Sequence, residues 1–153
     1  MIEPAVLQNL IGRWWWSYDE GRFDFLESHL TDDAHFVCRT DTGHAEWEDL
    51  VRADLRGRDA FMDWQAQHRL DSPYPLRHNG ANVHIVEQRD NEATFACYIH
   101  VTHIVDGQVA HLPGGMVNGA VRMVDGELRI CELEVVLDTI NSGLFKDMRE
   151  SDR

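Results

Sequence analysis

Two strand-like runs carry histidines among apolar residues, where an imidazole can be kept neutral and act as a base. His78 opens the run 76–86 just after a proline-marked loop, and His103 lies near the end of the run 93–105. Such a base can remove a proton from a bound molecule if another group holds the ring in place. The alternative for each histidine is a structural role, in which a backbone carbonyl accepts its N–H.

An aspartate stands at the end of the first predicted helix, where a carboxylate is unfavourable. The spacing of apolar residues predicts this helix over residues 3–18, and Gly21 ends it. Because the helix macrodipole places partial negative charge at that end, Asp19 needs a compensating partner or has a chemical role there. The alternative is a solvated residue at the helix end, since surface acids usually cost little stability.

Helical and alternating patterns predict the elements that position these residues. After the first helix we expect a short helix, a strand and a third long helix at residues 22–30, 34–39 and 59–69. Long strands follow, joined by short polar or Asp-Gly turns, at residues 76–86, 93–105, 108–123 and 127–138. Residues 40–56 stay open between strand, loop and an irregular helical turn, and residues 142–150 between a short helix and a tail.

Helices that come first and a strand meander that follows predict an α+β fold. We expect a cone, in which a curved and mostly antiparallel sheet wraps around the N-terminal helices. Pro113, Gly114 and Gly115 predict a bulge or bend that curves the sheet. The hollow under the curved sheet is the expected ligand site. Several aromatic residues either line its apolar walls or belong to the core: Trp14, Phe61, Trp64 and Tyr98.

The face of the sheet on which His78 lies stays open. Strict alternation counted from the apolar residues Val83 and Ile85 places His78 on the opposite face. Either a bulge near Gly80 returns His78 to the cavity, or the cavity face is the more polar one.

The composition predicts one cytoplasmic, soluble domain over residues 1–153. The chain has 14 basic and 27 acidic side chains, so its formal net charge is −13 at pH 7. Such a charge repels phosphate backbones and anionic lipid headgroups, and we therefore expect neither nucleic acid nor a membrane as a partner. The three cysteines are widely spaced in apolar runs, which favours small buried side chains over a disulfide or a zinc site: Cys38, Cys97 and Cys131.

Four further sequence features occur in a fixed order along the chain. They are a helix ending in Tyr18-Asp19, the run GRFDFLESHLTDDAHF at residues 21–36, the Gly57-Arg58 entry to the third helix and the strand RHNGANVHI at residues 77–85. With these features the chain from about residue 5 to residue 140 resembles the SnoaL-like branch of the NTF2-like superfamily. The resemblance implies the cone fold. It leaves the activity open, since that superfamily includes dehydratases, isomerases, cyclases, epoxide hydrolases, dioxygenase small subunits and noncatalytic binders.

Within that superfamily the chain is most similar in pattern to scytalone dehydratase and the bile-acid dehydratases. Those enzymes use an aspartate at the end of the first long helix and a histidine at the start of the strand after the third helix, which match Asp19 and His78. Scytalone dehydratase also has a tyrosine before that aspartate and a second histidine one strand further on, which match Tyr18 and His103. Its asparagine on the third long strand is matched loosely by Asn118.

The resemblance and the residues together predict a cofactor-independent lyase or isomerase of dehydratase type, acting on a cyclic apolar small molecule. His78 is the predicted general base, Asp19 orients it, and Tyr18 donates to the substrate oxygen on which negative charge develops. His103 and Asn118 are predicted to hold the other end of the substrate. The alternatives are a noncatalytic binding or assembly protein of the same fold, such as a dioxygenase small subunit, and a polyketide cyclase.

We expect no cofactor, no metal, and self-association. His100 and His103 lie three residues apart on a strand and point to opposite faces, whereas a metal site needs about three converging ligands. A curved sheet with apolar residues on both faces leaves an outer face to cover, which predicts a homodimer or a homotrimer.

Overall fold

The computed structural model describes residues 1–148, which form five helices and six strands. The helices are α1 (Pro4–Asp19), α2 (Phe23–Ser28), α3 (Glu48–Val51), α4 (Arg58–Leu70) and α5 (Phe145–Met148). The strands are β1 (Leu30–Thr40), β2 (Ala53–Arg56), β3 (Leu76–Arg89), β4 (Glu92–Val105), β5 (Gln108–Val124) and β6 (Glu127–Leu137). None of these helices is long and apolar enough to cross a membrane.

The six strands form one sheet in the order β2-β1-β6-β5-β4-β3. Strand β1 runs parallel to β6, and the other neighbouring pairs are antiparallel. Helix α1 packs against β3, and α4 packs against β1. The predicted α+β cone is confirmed, because a curved and mostly antiparallel sheet wraps around helices that precede its long strands in the chain.

The core forms where one face of α1 meets the inner face of the sheet. Leu7, Ile11 and Trp14 recur at helical spacing and are at most 1 % exposed. Each large apolar side chain that is buried in this way stabilises the fold by about 1.5–3 kcal/mol relative to an exposed one. On β4 every second residue is buried against the same core, as alternation predicts: Phe95, Cys97, Ile99 and Val101.

The structure differs from the sequence prediction at the start of β1. It also shows the conformation of residues 40–56, which the sequence left open. Strand β1 begins at Leu30 rather than at residue 34, because Leu30 pairs with Ile130 of β6 and is fully buried. Helix α2 consequently ends at Ser28. Residues 40–56 contain one turn of helix, α3, and the short strand β2. The predicted segment 142–150 contains α5, and its residues 149–150 lie outside the described residues, as do residues 151–153 of the predicted domain.

A bulge in β3 determines which face His78 occupies. On one side of the bulge His78 pairs with Val101, and on the other side Ile85 pairs with Phe95. The register shifts next to Asn82, whose φ is +57°. Directly opposed residues of an antiparallel pair share a face, so His78 and Ile85 both point inward although strict alternation would separate them. Of the two alternatives left by the sequence, the bulge is the one present.

The buried cysteines behave as small apolar side chains. Cys38, Cys97 and Cys131 are free and buried, as their spacing predicts. Burial raises the pKa of Cys38 to about 12 and the pKa values of Cys97 and Cys131 to about 11. Their thiols are therefore protonated at neutral pH and poor nucleophiles.

Replacing Gly115 with alanine is expected to destabilise the fold by about 3 kcal/mol, because the new methyl group would meet backbone atoms. A Cβ at Gly115 would lie 2.0 Å from the carbonyl oxygen of Val136 and 2.9 Å from Cα of Leu137. These atoms belong to the β5–β6 ladder and cannot move without breaking it. Urea denaturation measures the loss.

The matched control for that substitution is Gly12→Ala on α1, where a Cβ would meet nothing within 4 Å. Alanine is the better helix former, so this variant should gain up to about 1 kcal/mol. A Gly115→Ala protein within about 0.5 kcal/mol of the wild type would contradict the close approach of β5 and β6.

Candidate active site

A cavity of about 380 Å³ lies between the inner face of the sheet, the end of α1, helix α4 and the segment that carries α3. Pockets for small molecules usually measure about 300–1,000 Å³. Aromatic and aliphatic side chains form most of its wall, and no Asp, Glu, Lys or Arg among the described residues lines it. Its polar groups are few: Tyr18, Cys38, Gln65, His68, Ser72 and His78. The cavity therefore suits a neutral and largely apolar molecule.

Asp19 and His78 are joined by two hydrogen bonds at the wall of this cavity. Oδ1 of Asp19 lies 2.6 Å from Nδ1 of His78, and Oδ2 accepts a 2.8 Å hydrogen bond from the His78 backbone N–H. The Asp19 side chain is 4 % exposed and the His78 side chain 14 %. Because an ionised carboxylate can only accept hydrogen bonds, Nδ1 of His78 carries the proton of the shorter bond.

Nε2, the other ring nitrogen of His78, is available to a ligand in the cavity. No described residue forms a hydrogen bond with Nε2, and the ring lines the cavity. When Nδ1–H is donated to Asp19, a neutral imidazole keeps its lone pair on Nε2. The pair therefore presents a hydrogen-bond-accepting nitrogen in a fixed orientation, which can take up a proton.

Two aromatic rings hold the His78 imidazole in place. The indole of Trp15 stacks on it, with ring centroids 5.3 Å apart and an interplanar angle of 11°. Tyr18 meets the same ring edge-on, at 5.2 Å and 89°. Gly80 leaves room for this stack, because a Cβ there would lie 3.0 Å from Cδ1 of Trp15. Packing and hydrogen bonds thus fix the ring together.

Arg69 supplies the compensation that an acid at the end of α1 requires. Its Nε donates a 3.0 Å hydrogen bond to the backbone carbonyl of Asp19, and its Nη1 donates a 3.1 Å hydrogen bond to the carbonyl of Pro73. The residue is only 6 % exposed. A cation is favourable at a helix C-terminus, where the last carbonyls lack partners within the helix. Arg69 therefore stabilises the C-terminal end of α1, where the Asp19 carboxylate is otherwise unfavourable.

Tyr18 connects α1 with a second histidine, which lies on α4. Its Oη is 2.6 Å from Nδ1 of His68, and the His68 ring stacks on Trp64 at 4.4 Å and 10°. Burial raises the pKa of Tyr18 well above its ordinary value. Burial and the neighbouring His78 lower the pKa of His68. Both groups are therefore uncharged at neutral pH.

Glu48 anchors the segment that carries α3 to the edge of β1. Its carboxylate accepts hydrogen bonds from the backbone N–H of Thr40 at 3.0 Å, from the Thr40 hydroxyl, and from the backbone N–H of Ala45 at 3.3 Å. These bonds lower the pKa of the Glu48 carboxyl, which is 3 % exposed. The anchored segment places three apolar side chains on the cavity wall: Trp47, Leu50 and Val51.

Residues 5–134, which include Asp19 and His78, match a known family, the SnoaL-like domain. The chain belongs to the SnoaL-like domain family. No curated protein matches the chain.

Solved structures confirm the fold of this SnoaL-like chain. An NTF2-like protein with a cystatin-like fold from Novosphingobium aromaticivorans is 18% identical, with a TM-score of 0.72 over 94% of this chain and 86% of that chain. A candidate scytalone dehydratase from the same organism is 14% identical, with a TM-score of 0.70 over 89% and 83% of the two chains. The beta subunit of the benzoate 1,2-dioxygenase of Burkholderia mallei is 22% identical, with a TM-score of 0.69 over 90% and 91%. At such identities the likeness concerns the fold alone.

Four of the nine predicted site residues meet in the SnoaL-like cavity. Tyr18, His78 and Trp64 line it, and Asp19 lies directly behind His78. The rings of Trp14 and Phe61 instead belong to the core: both residues are fully buried, their ring centroids are 5.8 Å apart, and neither lines the cavity. They fill the space between α1 and α4, where neighbouring helices bury their largest side chains.

The structure does not place the other three predicted residues in the cavity. The alternation that turns Ile99 inward turns Tyr98 outward, and Tyr98 is 50 % exposed. Asn118 follows the fully buried Val117 and lines a second pocket, on the outer face of the sheet. His103 lies near the end of β4 and does not line the cavity.

Several groups of the SnoaL-like cavity were not among the site residues predicted from the sequence. His68 follows Trp64 by four residues on α4, so one face of this helix carries both rings, and that spacing was the available signal. Trp15 follows the core residue Trp14, and nothing in the local pattern indicates that it stacks on a histidine. The side chains contributed by the α3 segment could not be placed, because residues 40–56 have no clear periodicity.

Proposed function

We propose that this SnoaL-like protein is a cofactor-independent lyase or isomerase of dehydratase type, acting on a cyclic and largely apolar small molecule. One observation carries the proposal. Both carboxylate oxygens of Asp19 are bound to His78, so that Nε2 of a fixed tautomer faces an apolar cavity without a partner among the described residues. A histidine so placed is suited to removing a proton from carbon next to a carbonyl group.

The proposed step uses two residues in different roles. Nε2 of His78 takes the proton from carbon, and the electron pair of the broken C–H bond moves toward the carbonyl oxygen. The Asp19 carboxylate holds the tautomer and stabilises the imidazolium that forms. The electron pair then returns from the oxygen in one of two ways. It forms a C=C bond while the C–O bond to the hydroxyl group breaks, and His78 protonates the leaving hydroxide, which departs as water; or it forms a new C–H bond at a second carbon of the substrate with the proton from His78. The first outcome is an elimination and the second an isomerisation.

Tyr18 is the group proposed to face the substrate oxygen. Burial raises the pKa of its phenol, so Tyr18 keeps its proton at neutral pH and acts as a hydrogen-bond donor rather than an acid. A donor fixed near a developing oxyanion lowers the barrier, because it needs no reorganisation during the reaction. The absence of charged side chains from the described wall supports a substrate without phosphate or carboxylate groups.

Proton exchange tests the proposal without knowledge of the natural substrate. The protein is incubated in deuterium oxide with cyclic ketones such as β-tetralone, with cyclic β-hydroxy ketones, and with β,γ-unsaturated cyclic ketones. NMR follows the exchange of the carbon-bound protons, and the loss of water or a shifted double bond identifies the reaction type. We expect exchange above the buffer rate that requires His78. No exchange with any member of this panel would refute the proposal.

The same experiment separates the alternatives. A binding protein of this fold would shift the NMR signals of these ketones without exchanging their protons. Open-chain diketones, added to the panel, test the third alternative: a polyketide cyclase would convert them to ring products, since ring closure also begins by removing a proton from carbon. The proposed function also assumes that the whole chain, residues 1–153, forms a single SnoaL-like domain.

We also propose that the chain forms a homodimer or homotrimer through the outer face of its sheet. Tyr98 and Met116 are directly opposed on β4 and β5 and are 50 % and 47 % exposed. Neighbouring exposed apolar side chains are typical of an interface. Light scattering should give a dimer or trimer for the wild type and a smaller species for Tyr98→Lys. A monomeric wild type would contradict this proposal and leave the catalytic one intact.

Replacing Gly80 with alanine is expected to lower the exchange rate about tenfold, since small displacements of a catalytic group are costly. The new Cβ would lie 3.0 Å from Cδ1 and 3.2 Å from Nε1 of Trp15, so the indole must shift, and His78 is stacked on it. Gly12→Ala, which meets no atom within 4 Å, is the control. Equal exchange rates for the two variants would show that the stack does not position His78.

A further inference from the structure

The contact between Tyr18 and His68 is a second polar element of the cavity, and the Asp19–His78 pair does not use it. Oη of Tyr18 and Nδ1 of His68 are 2.6 Å apart and join α1 to α4. The His68 ring is fixed by its stack on Trp64, and its backbone carbonyl accepts a 2.6 Å hydrogen bond from Oγ of Ser72. Both Tyr18 and His68 line the cavity. Their hydrogen bond is therefore held in one geometry from two helices.

The direction of this hydrogen bond determines what Tyr18 can offer a ligand. One proton lies between Oη and Nδ1, and the phenol has only one proton of its own. If the Tyr18 proton lies in this bond, the phenol presents only lone pairs to the cavity and cannot donate to a substrate oxygen. If His68 supplies the proton from Nδ1, the Tyr18 proton is left for the cavity.

We propose that His68 is a positioning residue of this site: its Nδ1–H donates to Oη of Tyr18 and directs the Tyr18 proton toward the substrate oxygen. This inference rests on the proposed function, in which Tyr18 stabilises the charge on that oxygen. Neutral His68 has a single N–H and gives it to Tyr18, so His68 transfers no proton. A donor aligned in this way before the substrate arrives is what electrostatic stabilisation of a transition state requires.

NMR of the full chain with isotope-labelled histidine tests the direction of the bond directly. The ring nitrogen signals distinguish a protonated from a bare Nδ1, and comparison with a His68→Asn protein assigns the signals of His68. We expect Nδ1 of His68 to carry the proton in the free protein at neutral pH. A bare Nδ1 would overturn the inference, whether or not any ketone is turned over.

A pair of variants tests the functional consequence in the exchange assay. His68→Phe keeps a flat ring against Trp64 but has no donor, and we expect its turnover number to fall at least about tenfold while KM changes little. His68→Asn places an amide nitrogen near the position of Nδ1, and its loss should be only about threefold because it can still donate. Equal losses in the two variants, or no loss in the phenylalanine variant, would reduce His68 to a packing role. Exchange that does not require His78 would refute the proposed function instead, while the state of Nδ1 still decides the inference about His68.

Discussion

Replacing His78 with asparagine should slow the exchange of carbon-bound protons about 10²–10⁴-fold, which is the usual contribution of a general base. The substitution is chosen to remove the base and little else. The asparagine amide nitrogen can donate to Oδ1 of Asp19 as Nδ1 does, and the backbone N–H that binds Oδ2 is unchanged. Asparagine has no atom that reaches the position of Nε2. The fold should therefore persist while the proton acceptor is lost.

His100 provides the matched control for this experiment. It lies on the neighbouring strand β4, its side chain is exposed, and no Asp or Glu among the described residues is bonded to it. The His100→Asn protein should exchange protons at the wild-type rate. If the His78→Asn protein kept more than about a tenth of the wild-type rate, His78 could not be the general base.

Replacing Asp19 with asparagine is expected to reduce the exchange rate by a similar factor, about 10²–10⁴, although no proton acceptor is removed. Each carboxylate oxygen of Asp19 accepts one hydrogen bond from His78, whereas an amide has a single oxygen. The backbone N–H of His78 can only donate, so the amide oxygen must face it. The amide NH2 then faces Nδ1, which has to become the acceptor, and the ring proton moves to Nε2. The tautomer that results cannot accept a proton from the substrate.

Two measurements separate this explanation from a loss of charge or of fold. NMR of labelled histidine should show the proton of His78 on Nδ1 in the wild type and on Nε2 in the Asp19→Asn protein. Asp63→Asn removes the same charge from an exposed position on α4 and should leave the exchange rate unchanged. An Asp19→Asn protein with the wild-type tautomer and a normal rate would show that Asp19 does not orient His78.

The arrangement of elements could be predicted because the patterns that specify them are local. Periodic apolar residues predicted α1, and alternation predicted the strands. The Asp-Gly pairs at 106–107 and 125–126 predicted the turns between β4, β5 and β6. The segment 40–56 has no period to follow, since its conformation depends on contacts such as that of Glu48 with Thr40. The pairing of β1 with β6 joins residues about a hundred positions apart, which no local pattern records.

The structure brings some of the predicted site residues together and leaves others apart, for identifiable physical reasons. The proximity of Asp19 and His78 follows from the end of α1 meeting the start of β3, and the resemblance already implied that pairing. Tyr98 was predicted as an aromatic wall residue and Asn118 by a loose match to the family, but alternation along the strands puts both on the outer face. The face of His78 could not be derived by counting, because a bulge changes the count without leaving a decisive signature in the sequence.

The extra residue at Asn82 bears on how such a site can be gained or lost during evolution. Removing one residue from a strand exchanges the faces of everything on one side of the deletion. In this chain the part of β3 beyond the bulge is held by Ile85 in the core, so a deletion of Asn82 would rotate the other part and turn His78 outward. The loss or insertion of one codon would then decide whether a homologue has an imidazole in its cavity. Both forms of the protein would still carry the same aspartate and the same histidine.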